Sequence, residues 1–388
     1  MRDSYFIFMQ ELNFIFRKSK AACFLFGLPF VFTLLCGFVY SQNTLKAIPT
    51  VFYDQDQSSA SRSLLMAFAD SERFEIVGVV DTEEDMEKYL QNEQALVAIG
   101  VPVDFAANIK KGLGTEVLLS VNAENLMYPN SAINFAREIL TTYNIGLGKK
   151  LVEAIGQVPN QAIYTVQPIA TRMRILYNPT DSYNPFMLPG LATNGLQIGI
   201  ILSICLAIVR EYKQQVLWQK YSTLCIVAGK LAAYWVCTVF AAVLACGMYI
   251  YFYAVPFHGE WGGLLLIYGA FTFAVTSLGL LFSAAATSEI IPFHPIEFLY
   301  FMPAFLYSGY SWPHIAKNSF TYLYSYILPM NYAVDTIRDL LLIGYSADLW
   351  QNVVILGTGG VSVFIATVGV CRYRVAKMNA ANAMEAKG

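Results

Sequence analysis

The strongest constraint on this chain is its set of apolar runs. Residues 21–40, "AACFLFGLPFVFTLLCGFVY", carry no charged side chain. About 20 such residues make one helical crossing of a bilayer, where lipid offers no partner to a free backbone N–H or C=O. Further apolar stretches at 185–209, 223–254, 262–286, 296–309 and 349–371 bring the expected crossings to about six. The fifth is short for a crossing. Only 13% of the 388 residues are charged and 56% are hydrophobic, whereas a soluble domain is roughly 25% charged. These runs predict a polytopic α-helical membrane protein. No small-residue cleavage site follows the first run cleanly, so it reads as an uncleaved anchor.

Between the first two spans the composition changes. Residues 41–184 read as a soluble α/β domain. "AIPTVFYD", "FEIVGVV", "ALVAIGV" and "TEVLLSV" have the β-branched content and flanking turn formers of strands. Helical stretches lie between or after them: "SSASRSLLMAFAD", "TEEDMEKYL" with Thr82 as N-cap, and "SAINFAREILTTYNIGLGKKLVEAI". This alternation predicts a small mixed or parallel sheet covered by helices. Before the first span, residues 1–20 space Phe6, Met9, Asn13 and Phe16 against Arg17, Lys18 and Lys20, as in a helix lying in the membrane interface.

Orientation follows from the cations near the span ends. Arg2, Arg17, Lys18 and Lys20 precede the first span; Arg210, Lys213 and Lys220 separate the second from the third; Arg372, Arg374 and Lys377 follow the last. Both termini, including the tail 372–388, are therefore expected in the cytoplasm. The α/β domain and the aromatic-rich stretch 310–346 are expected on the outer face. Residues 210–222, "REYKQQVLWQKYS", then form a cytoplasmic elbow. Helix formers run through it, with Tyr212, Leu217 and Trp218 as contact-making bulk.

Several chemistries are excluded. A net charge of −2 with no basic run gives no footprint for nucleic acid. The three histidines, His258, His294 and His314, are too scattered for a zinc set, and no C-x-x-C occurs among the seven cysteines. Neither a G-x-S-x-G elbow nor the phosphate-cradling G-x-x-x-x-G-K-[ST] is present. Catalytic and metal residues are thus expected to be none, and no cofactor is expected on this chain. Titratable residues inside the spans are nearly missing, with Glu289, His294 and Glu297 clustered at the connection before the fifth. A self-powered proton carrier needs such groups.

Four segments together resemble the membrane subunits of type-2 ATP-binding-cassette exporters, the ABC-2 family, in the bacterial branch with a large domain after the first span. "YNPTDSYNPFMLPGL" is similar to the family's Y-N-P segment followed by P-G-L. "VREYKQQ" with the downstream Gly229, Lys230 and Leu231 looks like its coupling segment. "LYSGYSWPHIAKNSF" resembles the S-G-x-x-x-P element that opens the extracellular re-entrant helices, and "LPMNYAVDTIRDLLLIG" the P-x-x-Y element that closes them. One departure stands out. Where the family has Gly-Thr and an acid, this chain has Gln215, Val216 and Trp218.

The resemblance implies a permease subunit in the bacterial cytoplasmic (inner) membrane, moving a hydrophobic or amphiphilic compound such as a drug or lipid outward. It implies a dimer with a second copy or a paralogue, and ATP with magnesium bound on a separate ABC ATPase subunit. A periplasmic adaptor is an expected further partner on the same analogy. Arg210, Glu211, Gln215, Leu217 and Trp218 would couple to the ATPase. Ser308, Gly309, Tyr310, Pro313, Pro329, Tyr332 and Arg338 would build an outer gate. The alternative is a membrane-anchored receptor or scaffold whose α/β domain binds a ligand or adaptor.

Overall fold

The structure, a computed structural model, describes residues 2–17, 19–41, 45–111, 113–123, 127–154, 177–178, 182–214, 216–286 and 303–385. The chain divides into two compact units, Met1–Asn43 with Ser182–Gly388, and Thr44–Asp181.

The first unit begins with helix α1 (Arg2–Arg17). Ile7, Glu11 and Ile15 recur every four residues and form its buried face, while Phe6, Met9, Asn13 and Phe16 are exposed. A helix that hides one stripe and leaves aromatics outside suits an interface with lipid. The short α2 (Ser19–Ala22) runs through a π-helical turn, Cys23–Gly27, into α3 (Leu28–Val39). Cys23–Val39 is an apolar helix somewhat short for a crossing.

The second unit is built on four strands, β1 (Ile48–Asp54), β2 (Phe74–Val80), β3 (Val97–Val101) and β4 (Leu118–Val121), in the order β2-β1-β3-β4. β1 runs parallel to both neighbours and β3 pairs antiparallel with β4, so the sheet is mixed. Four helices cover it: α4 (Ser59–Ala69), α5 (Glu83–Gln91), α6 (Phe105–Lys110) and α7 (Met127–Ala154). Alternation along the strands supplies two cores. Phe52, Val97 and Ile99 pack with Leu64, Phe68 and Phe105 on one face; Val51, Tyr53 and Ala98 pack with Met86 on the other. Thr82 caps α5 by accepting from the Asp85 amide at 3.2 Å, as its place in the sequence predicts.

Returning to the first unit, α8 (Tyr183–Ile204) is followed by two short helices, α9 (Val209–Gln214) and α10 (Val216–Lys220), then by α11 (Thr223–Tyr251) and α12 (Trp261–Ala285). A compact region follows with α13 (Ala304–Tyr307), a 3-10 turn at His314–Ala316, α14 (Ser319–Ser325) and α15 (Met330–Leu342), before the long α16 (Leu349–Glu385). Among the described residues four helices are long and apolar enough to cross a membrane: Tyr183–Tyr212, Thr223–Tyr251, Trp261–Ala285 and Leu349–Ala380. The protein is thus mostly helical and polytopic in character, with a small mixed sheet. Of the expected fifth span, residues 296–302 lie outside the described residues, as do Glu289, His294 and Glu297. α8 packs against α3, α11 and α12, while α16 lies along α12.

Candidate coupling site and outer gate

The elbow is positioned by a break in the helix. α8 stops at Ile204, and a turn through Cys205–Ile208 interrupts the ladder before α9 restarts at Val209. The freed N–H groups of Ile208 and Val209 donate to Ser283 Oγ on α12 at 2.8 and 3.3 Å. One hydroxyl therefore satisfies two backbone donors that the apolar interior would otherwise leave orphaned.

That turn delivers Arg210 and Glu211 into a buried ionic cluster. Arg210 Nη2 donates to both carboxylate oxygens of Glu11 at 2.7 Å, and its Nε donates to Glu211 Oε1 at 3.0 Å. Lys230 Nζ, fully buried on α11, reaches Glu11 Oε2 at 2.7 Å and Glu211 Oε1 at 3.1 Å. Two cations face two carboxylates, so the cluster is neutral and each charge has at least two partners. The Arg210 guanidinium also sits over the Phe14 ring, 3.6 Å from its centroid. Gly229 makes the approach possible: a β-carbon there would stand 2.8 Å from the Ser4 carbonyl and 2.9 Å from Ile7 of α1.

A second contact set holds the other side of the elbow. Tyr212 stacks on Trp218 with centroids 5.4 Å apart, and its hydroxyl donates to the Ala284 carbonyl at 3.3 Å. The same hydroxyl lies 3.5 Å from Cys371 Sγ of α16. Arg374 of α16 donates to the carbonyls of Ala285 and Ala286, the free end of α12. Through these contacts α1, α11, α12 and α16 all bear on a segment of a dozen residues.

The sequence expectation gave Arg210 and Glu211 a coupling role; the structure turns Glu211 inward until it is 6% exposed. Val216 is 65% exposed, Gln219 and Lys220 are exposed, and Leu217 and Trp218 are half-buried. Gln215 lies outside the described residues. Sequence reasoning missed Glu11 and the partners of Lys230. Both left a signal: Glu11 occupies the buried stripe of α1, and Lys230 is the one charged residue between Thr223 and Tyr251.

Of the expected gate residues, Ser308, Gly309 and Arg338 come together around Tyr310. Its ring is buried against α8, stacked on Phe186 at 5.7 Å, and its hydroxyl donates to the Phe186 carbonyl. Gly190 leaves the space, since a β-carbon there would lie 2.5 Å from the Tyr310 ring. The Arg338 guanidinium stands 4.8 Å from the Tyr310 centroid and pairs with Asp335 at 2.9 Å. Ser308 donates to the Phe305 carbonyl at 2.8 Å and accepts from the Tyr310 amide at 3.3 Å, folding the turn at Gly309. Gly309 has φ of +98°, a conformation that glycine adopts without strain.

Prolines and a second glycine punctuate the rest. Pro313 precedes the 3-10 turn, Pro329 caps the start of α15, and Gly344, at φ +88°, ends it by donating to the Asp339 carbonyl at 3.0 Å. Tyr332 donates to the Tyr326 carbonyl at 2.8 Å. Deeper in the helices, Thr193, Tyr268 and Tyr249 form a buried chain of hydroxyls at 3.2 and 3.1 Å that the sequence did not single out. Among the described residues no group of three or more His, Cys, Asp or Glu side chains could hold a metal ion.

Residues 20–368 match the family described as ABC-2 family transporter protein. The chain belongs to that family. It is also similar to the probable multidrug ABC transporter permease YbhR of Escherichia coli (strain K12), with 23% identity over 364 residues, covering 92% of this chain and 95% of the relative. The probable multidrug ABC transporter permease YbhS of the same strain is 24% identical over 276 residues, 69% of each chain. No solved structure matches significantly. As an ABC-2 protein the chain is the membrane component of a transporter rather than a catalyst.

Proposed function

We propose that this ABC-2 protein is the permease subunit of an ATP-driven exporter that moves a hydrophobic or amphiphilic compound out across the bacterial cytoplasmic membrane. The names of its relatives, probable multidrug permeases, support that substrate class. ABC-2 permeases work with an ATPase subunit, and here ATP and magnesium would be bound and hydrolysed on that separate chain. Two permease chains would face each other across the pathway. Six crossings, counting Cys23–Val39 and the sequence stretch 296–309, would leave both termini on one side, and the lysine and arginine bias at the span ends would make that side, with the elbow, the inside and the α/β domain the outside. A periplasmic adaptor docking on that domain completes the proposal by family analogy.

The observation that carries this reading is the elbow's double attachment. One side is tied by the Glu11, Arg210, Glu211 and Lys230 cluster, and the other by Tyr212 and Arg374 to α12 and α16. A push on Val216, Leu217 or Trp218 therefore reaches four helices at once. At the opposite region, movement of α8 would act directly on Tyr310 through Phe186 and Gly190 and so open or close the outer gate. Co-reconstitution of the chain with its ATPase subunit in liposomes tests the proposal. ATP-dependent, vanadate-sensitive movement of a lipophilic dye is expected; ATPase activity indifferent to the permease would overturn it.

A further inference from the structure

Within the α/β domain a groove of about 460 Å3 runs between α6, the stretch that follows it, and α7. Its floor is Leu64 and Phe105, both buried, and its walls are Ile109, Val117, Leu140 and Leu147. The floor is firm, because Tyr143 on α7 donates to the Ala60 carbonyl of α4 at 2.8 Å. At the mouth Leu113 is 57% exposed. A trough of this volume lies in the range of small-molecule sites, and aliphatic side chains left open to water gain by being covered.

The residues that adjoin the lining in sequence point to the chemistry of the occupant. Lys110 and Lys111 directly follow the wall residue Ile109, and Lys149 and Lys150 directly follow the lining pair Leu147 and Gly148. Lys110, Lys111 and Lys150 are exposed and form no ion pair among the described residues; Lys149 lies 3.7 Å from Glu153. Glu116 and Glu153 on the same stretches offset part of this charge. An apolar slot flanked by uncommitted ammonium groups complements a hydrocarbon tail with an anionic head. We propose that the groove binds a single-chain anionic amphiphile of the fatty-acid kind, tail along Leu140 and Leu147 and carboxylate at the lysines. The site goes beyond the export reading and stands without it, since binding is read in the absence of nucleotide and ATPase.

The test uses the full chain in phosphatidylcholine nanodiscs and lauric acid carrying a terminal diazirine. Saturable labelling of peptides covering 113–117 and 140–148 is expected, competed by plain laurate and absent with a dodecyltrimethylammonium analogue. Lys110→Glu with Lys111→Glu should weaken binding about tenfold or more. Gly114→Trp begins its side chain in open space, so it should block the mouth and abolish labelling with the unfolding midpoint unchanged. Equal labelling by the cationic analogue, indifference to lysine reversal, or no label at these peptides because residues 155–176 fill the groove would each overturn the proposal. A failure of the export reading would leave the labelling untouched.

Discussion

Lys230 Nζ lies 2.7 Å from Glu11 Oε2, a pair separated by 219 residues in sequence and withdrawn from solvent at both ends. Removing one of them leaves Glu11 with Arg210, or Lys230 with Glu211, but gives the buried four-residue cluster one uncompensated charge. Lys230→Ala or Glu11→Ala is therefore expected to destabilise the protein by about 3–5 kcal/mol. Replacing both by methionine leaves Arg210 with Glu211 as a neutral pair and should recover most of that loss. Thermal unfolding of the single and double variants in nanodiscs measures the difference.

Gly229 is the steric counterpart of this charge cluster. The first atom a β-carbon would meet is a backbone oxygen of α1, which no side-chain rotation can move away. Gly229→Ala should displace α1 from α11 at a cost of about 1–3 kcal/mol. Faster hydrogen exchange across Arg2–Arg17, with α15 unaffected, is the expected readout.

In the proposed gate, Tyr310 separates packing from hydrogen bonding. Tyr310→Phe keeps the stack on Phe186 but deprives its carbonyl of a donor, an expected cost of about 1 kcal/mol. Tyr310→Ala opens a cavity beside Gly190 and should cost about 3–5 kcal/mol. Unfolding midpoints of the two variants should fall in that order.

Much of this was legible in the sequence, for reasons that differ between elements. The four strands announce themselves by β-branched runs, and Thr82 by its place before three acids. α6 did not, because six residues of "FAANIK" are too few to show a helical period. Ser308, Gly309, Pro313, Pro329 and Gly344 were marked by the family resemblance, and the structure puts them at turns and helix ends, where particular residues are demanded locally. The ionic cluster beside the elbow was only half readable. Arg210 and Glu211 stand out in an apolar context, but their direction depends on Glu11 and Lys230, whose proximity is set by how α1 crosses α11.

His314 supplies a pH dependence. Burial and the Lys317 ammonium, 3.0 Å from its Nδ1, hold the imidazole below the usual histidine range, against the smaller pull of Asp335. The folded protein therefore binds the proton less readily than the unfolded chain. The resulting stability is full above the ordinary histidine pKa and is lost as pH falls from there through the lowered value. Lys317→Met should raise the His314 titration midpoint, followed by NMR of labelled histidine and assigned with His314→Gln.

Under the proposed function, force from an ATPase enters through the outward face of the elbow. Val216→Glu with Leu217→Glu changes that face while leaving Glu11, Arg210, Glu211 and Lys230 in place. Copurification of the ATPase subunit with this variant is the direct measurement. The expected result is loss of the ATPase while the permease keeps its unfolding midpoint; a complex that forms and hydrolyses ATP as before would overturn the coupling role of the elbow.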